Sequence, residues 1–323
     1  MPSQTTDLQD DLQDVAAGVL MPFDDQGDVR FDGVVANAEY LQEHGIRLVL
    51  ANANISEYHS LTPDEQIQIV ETVVGAAAPE TTVLAGVGGS LHRARETAAA
   101  HARSGADALM VMPPDNTFAH EQGLLTYYED LGTRTDLLLV PYVRELKPRA
   151  ETIHALADLP MVAGIKYALE DIERFVRAIS AAEGEVVWMC GMGEPLAPAF
   201  WLEGAEGFTS GVGNVIPEVG LALRDALREG DWQRAIEIRN VSLPLQKLRG
   251  ATGERNMFAA ASVPVLKEAL RLAGGHGGHV RPPLAELSAV DRERVREEVE
   301  RIEAFVDVEL DATREAPSHS SDV

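Results

Sequence analysis

DLLLVPY (Asp136–Tyr142) and MVAGIKY (Met161–Tyr167) are two short apolar runs, and each reaches a polar side chain at its C-terminal end. Neither alternates polar with apolar residues. Both are apolar on two faces, as strands buried in a parallel sheet are. The same kind of run recurs at VAAGVLMPF (Val15–Phe23), RLVLAN (Arg47–Asn52), TVLAGVG (Thr82–Gly88), ALMVMP (Ala108–Pro113), VVWMCG (Val186–Gly191) and GFTSGVG (Gly207–Gly213). Helix-like segments with acidic starts lie between them. In LTPDEQIQIVETVVGAA (Leu61–Ala77), Thr62 can cap the helix and Pro63 can occupy its first turn. Ile67, Ile69, Val70, Val73 and Val74 then fill one side.

Eight such alternations, at a spacing of roughly 25–30 residues, predict an α/β protein that closes into a (β/α)8 TIM barrel; a doubly wound sheet usually needs fewer strands. The chain continues past the eighth run. Pro217–Glu229, Trp232–Arg249, Arg255–Ala273 and Val290–Phe305 read as helices, the first closing the barrel and the others forming a helical C-terminal extension. The expected organisation is a flexible N-terminal segment over 1–14, the barrel over 15–229, the extension over 230–307 and a disordered tail over 308–323.

Composition narrows the function. With 323 residues, 45% of them hydrophobic, the chain can bury a large core. A formal net charge of −25 repels nucleic acid and anionic lipid, so neither is expected as a partner. The opening MPSQTTDLQDDLQD lacks a basic region followed by an apolar one, and Cys190 is the single cysteine; both fit a cytoplasmic, reducing location. Of the 27 basic residues only Lys147, Lys166, Lys247 and Lys267 are lysines. Adaptation to high salt and a GC-rich genome both account for that scarcity. Either way, a lysine at a strand end is here a rare event.

Reactive groups of such barrels sit at the C-terminal ends of strands and in the loops that follow. The polar residues there are the Asn54–Glu57 loop, Asp115 and Asn116, Tyr142 and Arg144, Lys166, Ser210 and Asn214. Lys166 ends a run that should be fully buried. Desolvation at that depth favours the neutral amine, a nucleophile toward carbonyl carbon. The competing reading is a lysine that snorkels to solvent or pairs with a carboxylate. Tyr142, closing the preceding strand, can place its hydroxyl beside that amine and shuttle a proton, or can be an aromatic core residue with its hydroxyl at the rim. The Ala53–Glu57 loop offers consecutive backbone N–H groups that can hold a carboxylate, with Glu57 bracing the loop rather than doing acid–base work. His276 and His279 in GGHGGHV have no evident third ligand and read as loop. GVGGS (Gly86–Ser90) lacks the spacing of a phosphate loop, and Cys190 reads as a packed thiol.

Four segments resemble the dihydrodipicolinate synthase / N-acetylneuraminate lyase family of class I aldolases, over about Val15 to Phe305. VAGIKYALEDIERF (Val162–Phe175) is similar to its Schiff-base lysine motif, with Asp171 five positions after Lys166. ANISEYHSLTPDEQ (Ala53–Gln66) resembles its Gly-Thr-Thr-Gly-Glu loop, and SGADALMVMPP (Ser104–Pro114) its fourth strand. GMGEPLAPAFWLEGAEGFTSGVGNVIPE (Gly191–Glu218) resembles the region that lines its pocket. The resemblance implies a barrel with a helical extension, usually a homotetramer, with Lys166 and Tyr142 catalytic. It further implies Asn54, Ile55, Ser56, Asp115, Arg144, Gly191, Ser210 and Val212 around a 2-oxo acid, with no metal or organic cofactor required.

The departures bear on the substrate. Asn54 and Ile55 stand where the family has two threonines, and Ser56 replaces the glycine. Asp115 aligns with the tyrosine that follows the strand 4 proline in the synthases, and Lys147 aligns with their arginine. Tyr142-Val143-Arg144 is closer to the Tyr-Asn-Arg of the sugar-acid dehydratases. The expectation is therefore a 2-keto-3-deoxy sugar acid aldolase or dehydratase. The alternatives are 4-hydroxy-tetrahydrodipicolinate synthase and a barrel that binds a 2-oxo acid without turning it over.

Overall fold

In the computed structural model the described residues are 2–116, 118–144, 146–251 and 261–310. Eight parallel strands close in sequence order: β1 (Val15–Gly18), β2 (Leu48–Ala51), β3 (Thr82–Val87), β4 (Ala108–Val111), β5 (Leu138–Val143), β6 (Gly164–Tyr167), β7 (Val187–Cys190) and β8 (Gly207–Thr209). Each lies inside one of the apolar runs, except that β5 runs one residue past Tyr142 to Val143. The helices are α1 (Pro2–Leu12), α2 (Phe31–Glu43), α3 (Pro63–Gly75), α4 (Leu91–Ser104), α5 (Glu121–Gly132), α6 (Ala150–Ala157), α7 (Ile172–Ala181), α8 (Ala197–Leu202) and α9 (Pro217–Glu229). The extension adds α10 (Trp232–Ala251), α11 (Ser262–Leu272) and α12 (Ala289–Phe305). Thr62 caps α3 as its sequence requires, accepting from the Glu65 N–H while the Glu65 carboxylate accepts from the Thr62 N–H at 2.8 Å. Among the described residues no helix is long and apolar enough to cross a membrane.

The period of two along each strand sorts side chains into two cores. Leu109, Val111, Leu139, Val143, Ile165, Tyr167, Trp188 and Cys190 face the helices. Their neighbours Ala108, Met110, Val140, Tyr142, Val187 and Met189 fill the inside of the barrel. Lys166 falls between the outward Ile165 and Tyr167, so it belongs to the inward set.

The N-terminal segment differs from the flexible stretch expected over 1–14. It forms α1, whose Leu8 and Leu12 join the interior core at the N-terminal mouth of the barrel. The strands make room for it. A Cβ on Gly164 would stand 2.9 Å from Leu12 Cδ1, and one on Gly207 only 2.2 Å from the Leu12 carbonyl oxygen. Two leucines four residues apart on one helical face bury enough apolar area to hold an otherwise polar segment in place. At the other end, a π-helical turn over Val306–Leu310 extends α12, so residues 308–310 of the expected tail are ordered against the core; the rest of that tail lies outside the described residues. The predicted helix Arg255–Ala273 is seen from Ser262 onward, and residues 252–260 also lie outside the description.

Candidate active site

Strand register builds the centre of the site. Lys166 on β6 pairs with Tyr142 on β5 and with Met189 on β7, placing the three in one layer near the C-terminal mouth. Lys166 is 6% exposed. Its Nζ lies 4.2 Å above the centroid of the Tyr142 ring and 3.7 Å from Met110 Sδ. The amine thus sits between a π face and a thioether on the inner wall. Tyr142 is 4% exposed, and its hydroxyl oxygen accepts from Arg144 Nη1 at 3.0 Å and from Asn54 Nδ2 at 3.4 Å. Two donors, one of them cationic, stabilise negative charge on that oxygen when it gives up a proton.

The β2 loop differs from the expected cradle in one respect. Asn54–Ser56 forms a 3-10 turn, and Glu57 closes it in the left-handed region at φ 55°. Ser56 turns inward: its hydroxyl donates to the Val19 carbonyl at 2.5 Å and accepts from the Ala53 N–H at 3.2 Å. The N–H groups of Ser56 and Glu57 bond to Ala53 and Asn54 carbonyls. This leaves the first two N–H groups of the turn, those of Asn54 and Ile55, which a 3-10 turn cannot satisfy internally. Asn54 Oδ1 is buried without a partner among the described residues, so the loop retains capacity for a ligand. Ile55 is half-buried, and its Cδ1 and Cγ1 would stand 2.8 Å from a Cβ on Gly18, packing the loop onto β1.

Glu57 braces this loop from behind. Its Oε1 pairs with Lys267 Nζ of α11 at 2.5 Å, and its Oε2 accepts from the Arg281 N–H at 3.1 Å. Lys267 also donates to the His279 carbonyl at 2.5 Å and lies over the Phe23 ring. Burial holds the Lys267 ammonium below its usual range, and the Glu57 carboxylate opposes that shift. The GGHGGHV stretch is tied to the barrel through its backbone, His276 to the Asn37 side chain and His279 to Phe23.

On the far side, β7 and β8 meet around Glu194, which is fully buried. Its carboxylate accepts from the Ser210 hydroxyl, from the Gly211 N–H at 3.1 Å and the Val212 N–H at 3.0 Å, and from Gln246 Nε2 of α10. Ser210 and Val212 are therefore held as loop anchors, and the Gly213 N–H bonds back to Ser210 Oγ at 2.7 Å. Asn214 ties this loop to β1, its Oδ1 accepting from the Gly18 N–H at 2.7 Å. Gly191 allows β7 to approach β6 closely; a Cβ there would lie 2.7 Å from that of Ala168.

Asp115 is exposed on the loop after β4 and meets none of the other candidates among the described residues. Cys190 faces the helices, and burial pushes its thiol up to about 12, so it is a packing residue. The site thus brings together Lys166, Tyr142, Arg144, Asn54 and the Asn54–Ile55 N–H groups. Met110, Tyr58, Glu194, Gln246 and Arg249 also belong to it or border it and were not anticipated. Glu194 had a signal, since it follows an apolar run within GMGEP. Gln246 and Arg249 had none, because they sit mid-helix in the extension.

Fold and site together define a (β/α)8 barrel that carries an inward amine at its C-terminal mouth, with a phenol on the neighbouring strand. The chain belongs to the dihydrodipicolinate synthetase family, whose sequence profile matches residues 11–302. A Streptomyces avermitilis protein named probable 5-dehydro-4-deoxyglucarate dehydratase 2 is 32% identical over 277 residues, spanning 84% of this chain and 82% of that protein. An Oceanobacillus iheyensis protein named probable 5-dehydro-4-deoxyglucarate dehydratase is 26% identical over 284 residues, covering 86% and 90% of the two chains. Among solved structures, a dihydrodipicolinate synthase from Oceanobacillus iheyensis superposes with a TM-score of 0.88 at 29% identity, over 93% of this chain and 99% of that one.

Proposed function

We propose that this chain is a Schiff-base-forming dehydratase of 2-keto-3-deoxy sugar acids, with 5-dehydro-4-deoxyglucarate as its substrate, acting as a homotetramer in the cytoplasm. The observation that carries the reading is the Tyr142 ring 4.2 Å from Lys166 Nζ, with Arg144 and Asn54 both donating to its hydroxyl oxygen. The names of the relatives support the substrate, while family membership alone supports the tetramer. Against a synthase stand Asp115, Lys147 and the missing pair of threonines.

The chemistry balances with these groups alone. The Lys166 amine adds to the C5 ketone of the substrate. Tyr142 protonates the carbinolamine hydroxyl, which leaves as water, and an iminium forms. The resulting phenolate, held by Arg144 and Asn54, takes a proton from C4 to give an enamine. The enamine expels the C3 hydroxyl, again protonated by Tyr142. Water then adds to the conjugated iminium, its proton returns to the phenolate, and collapse of the carbinolamine frees the amine. The net change is loss of one water. The substrate carboxylate next to the ketone rests on the Asn54 and Ile55 N–H groups.

Borohydride reduction in the presence of pyruvate, followed by peptide mass mapping, tests the nucleophile. The expected result is one adduct, at Lys166, absent from Lys166→Ala. No adduct on any lysine overturns the reading. Incubation with 5-dehydro-4-deoxyglucarate should yield a dehydrated oxo acid without pyruvate; pyruvate release would make the enzyme an aldolase instead.

A further inference from the structure

In a chain of net charge −25 three basic side chains gather toward this mouth of the barrel: Lys166, Arg144 and, from the extension helix α10, Arg249. Arg249 is half-buried against the loop after β8. Gly211 makes that position possible, since a Cβ there would stand 2.1 Å from Arg249 Nη1. The guanidinium donates through Nη1 to Gln246 Oε1 at 2.5 Å, and through Nε and Nη2 to Ser262 Oγ at 3.1 and 2.8 Å. Its five N–H groups thus meet two oxygens among the described residues, both neutral. Glu194 is the nearby carboxylate, but its oxygens are taken by Ser210, Gly211, Val212 and Gln246.

Arg249 is therefore a cation desolvated by its surroundings and balanced only at one remove. Burial lowers its affinity for its proton, Glu194 opposes that, and Arg144 adds to it. Its neighbours Gly211 and Gln246 both bond the Glu194 carboxylate where β7 and β8 end, which places Arg249 beside the C-terminal mouth of the barrel. An incoming carboxylate would supply what the described residues do not: a planar anion matched to a planar fork, in a partly desolvated place where such a bond is strong.

We propose that Arg249 binds the far carboxylate of the substrate and makes this enzyme selective for six-carbon diacids over the corresponding mono-acids. The inference rests on the Schiff-base reading above, because Lys166 anchors the other end of the same molecule. A purely architectural Arg249, tying α10 to α11 through Ser262, is the opposing view.

The test uses two oxo acids that differ only at the far end, 2-oxoadipate and 2-oxohexanoate, each competing with pyruvate for borohydride trapping at Lys166 in the full-length protein. The expected wild-type preference for 2-oxoadipate is about a hundredfold, from loss of one bidentate charged contact. In Arg249→Gln the ratio should collapse toward one, the loss falling on 2-oxoadipate alone. Arg249→Lys, which keeps the charge without the fork, should fall between. A wild type with no preference overturns the proposal whatever the variants do. So does a variant that loses both oxo acids equally. Failure of pyruvate to label Lys166 at all would refute the Schiff-base reading instead, and so be told apart.

Discussion

Breaking the Glu57–Lys267 pair should cost far more than its place behind the active site suggests. Both side chains are buried, and the pair spans 210 residues of sequence to join the β2 loop to α11. Lys267→Met leaves the Glu57 carboxylate buried with one donor, the Arg281 N–H at 3.1 Å. Removing one member of a buried pair costs about 3–5 kcal/mol, and the surviving bond places this case near 3. Glu57→Gln leaves the Lys267 ammonium with the His279 carbonyl and the Phe23 ring, and should cost a similar amount. The double variant buries no unpaired charge. Its loss should fall short of the summed single losses by about 2 kcal/mol or more. Urea titration of the four proteins reads the cycle, provided each transition is cooperative. The loop also positions Asn54, so both single variants should show a raised pyruvate concentration for half-maximal trapping. Additivity within about 0.5 kcal/mol would refute the reasoning, showing the two charges to be solvated independently.

Two further outcomes follow from the same structure. Tyr142→Phe removes the oxygen on which Arg144 and Asn54 converge; turnover should fall by about 10²–10⁴-fold while borohydride still labels Lys166 at the end point, as read by steady-state rates and mass mapping. His101, on the buried face of α4, has its pKa lowered to about 4 by desolvation. In the unfolded chain it titrates near about 6.5, so between those values the unfolded state binds the proton that the folded state refuses. Stability should be complete above about pH 6.5 and fall by about 3 kcal/mol as the pH drops to 4. His101→Gln should flatten that slope in urea titrations at several pH values; an unchanged slope would assign the acid loss elsewhere.

The barrel was legible because a strand buried on both faces must be written as a short continuous apolar run, and little else in a polar chain looks like one. Lys166, Tyr142 and Arg144 were legible for the same reason, as polar residues at the ends of such runs. The loop was harder. Asn54, Ile55 and Ser56 are three successive residues of a tight turn, and sequence does not say which way each points; Ser56 spends its hydroxyl on Val19 and Ala53. Helix α1 was missed because its signal is only Leu8 and Leu12 in an acidic segment, and its binding partners are absences, the side chains that Gly164 and Gly207 lack. The partners of Glu57 and Glu194 were illegible for want of locality. Lys267 and Gln246 lie 210 and 52 residues away, on helices whose own patterns explain them without any site.

That split between the legible and the illegible has a mechanical origin. Lys166 and Tyr142 are fixed by the pairing of β5 with β6, and a slip of one residue would turn Lys166 out of the barrel and Ile165 into it. No gradual change can move them, so their placement is locked to the fold. The Glu194 loop is held to the extension by Gln246, and Arg249 by Gln246 and by Ser262 of α11. Each of these can be exchanged without disturbing a single strand pair. A barrel built this way can keep its iminium chemistry while its helical extension alters which oxo acid reaches the amine. In this chain that exchangeable part carries the cation proposed to meet the far end of the substrate, Arg249, admitted by a glycine, Gly211.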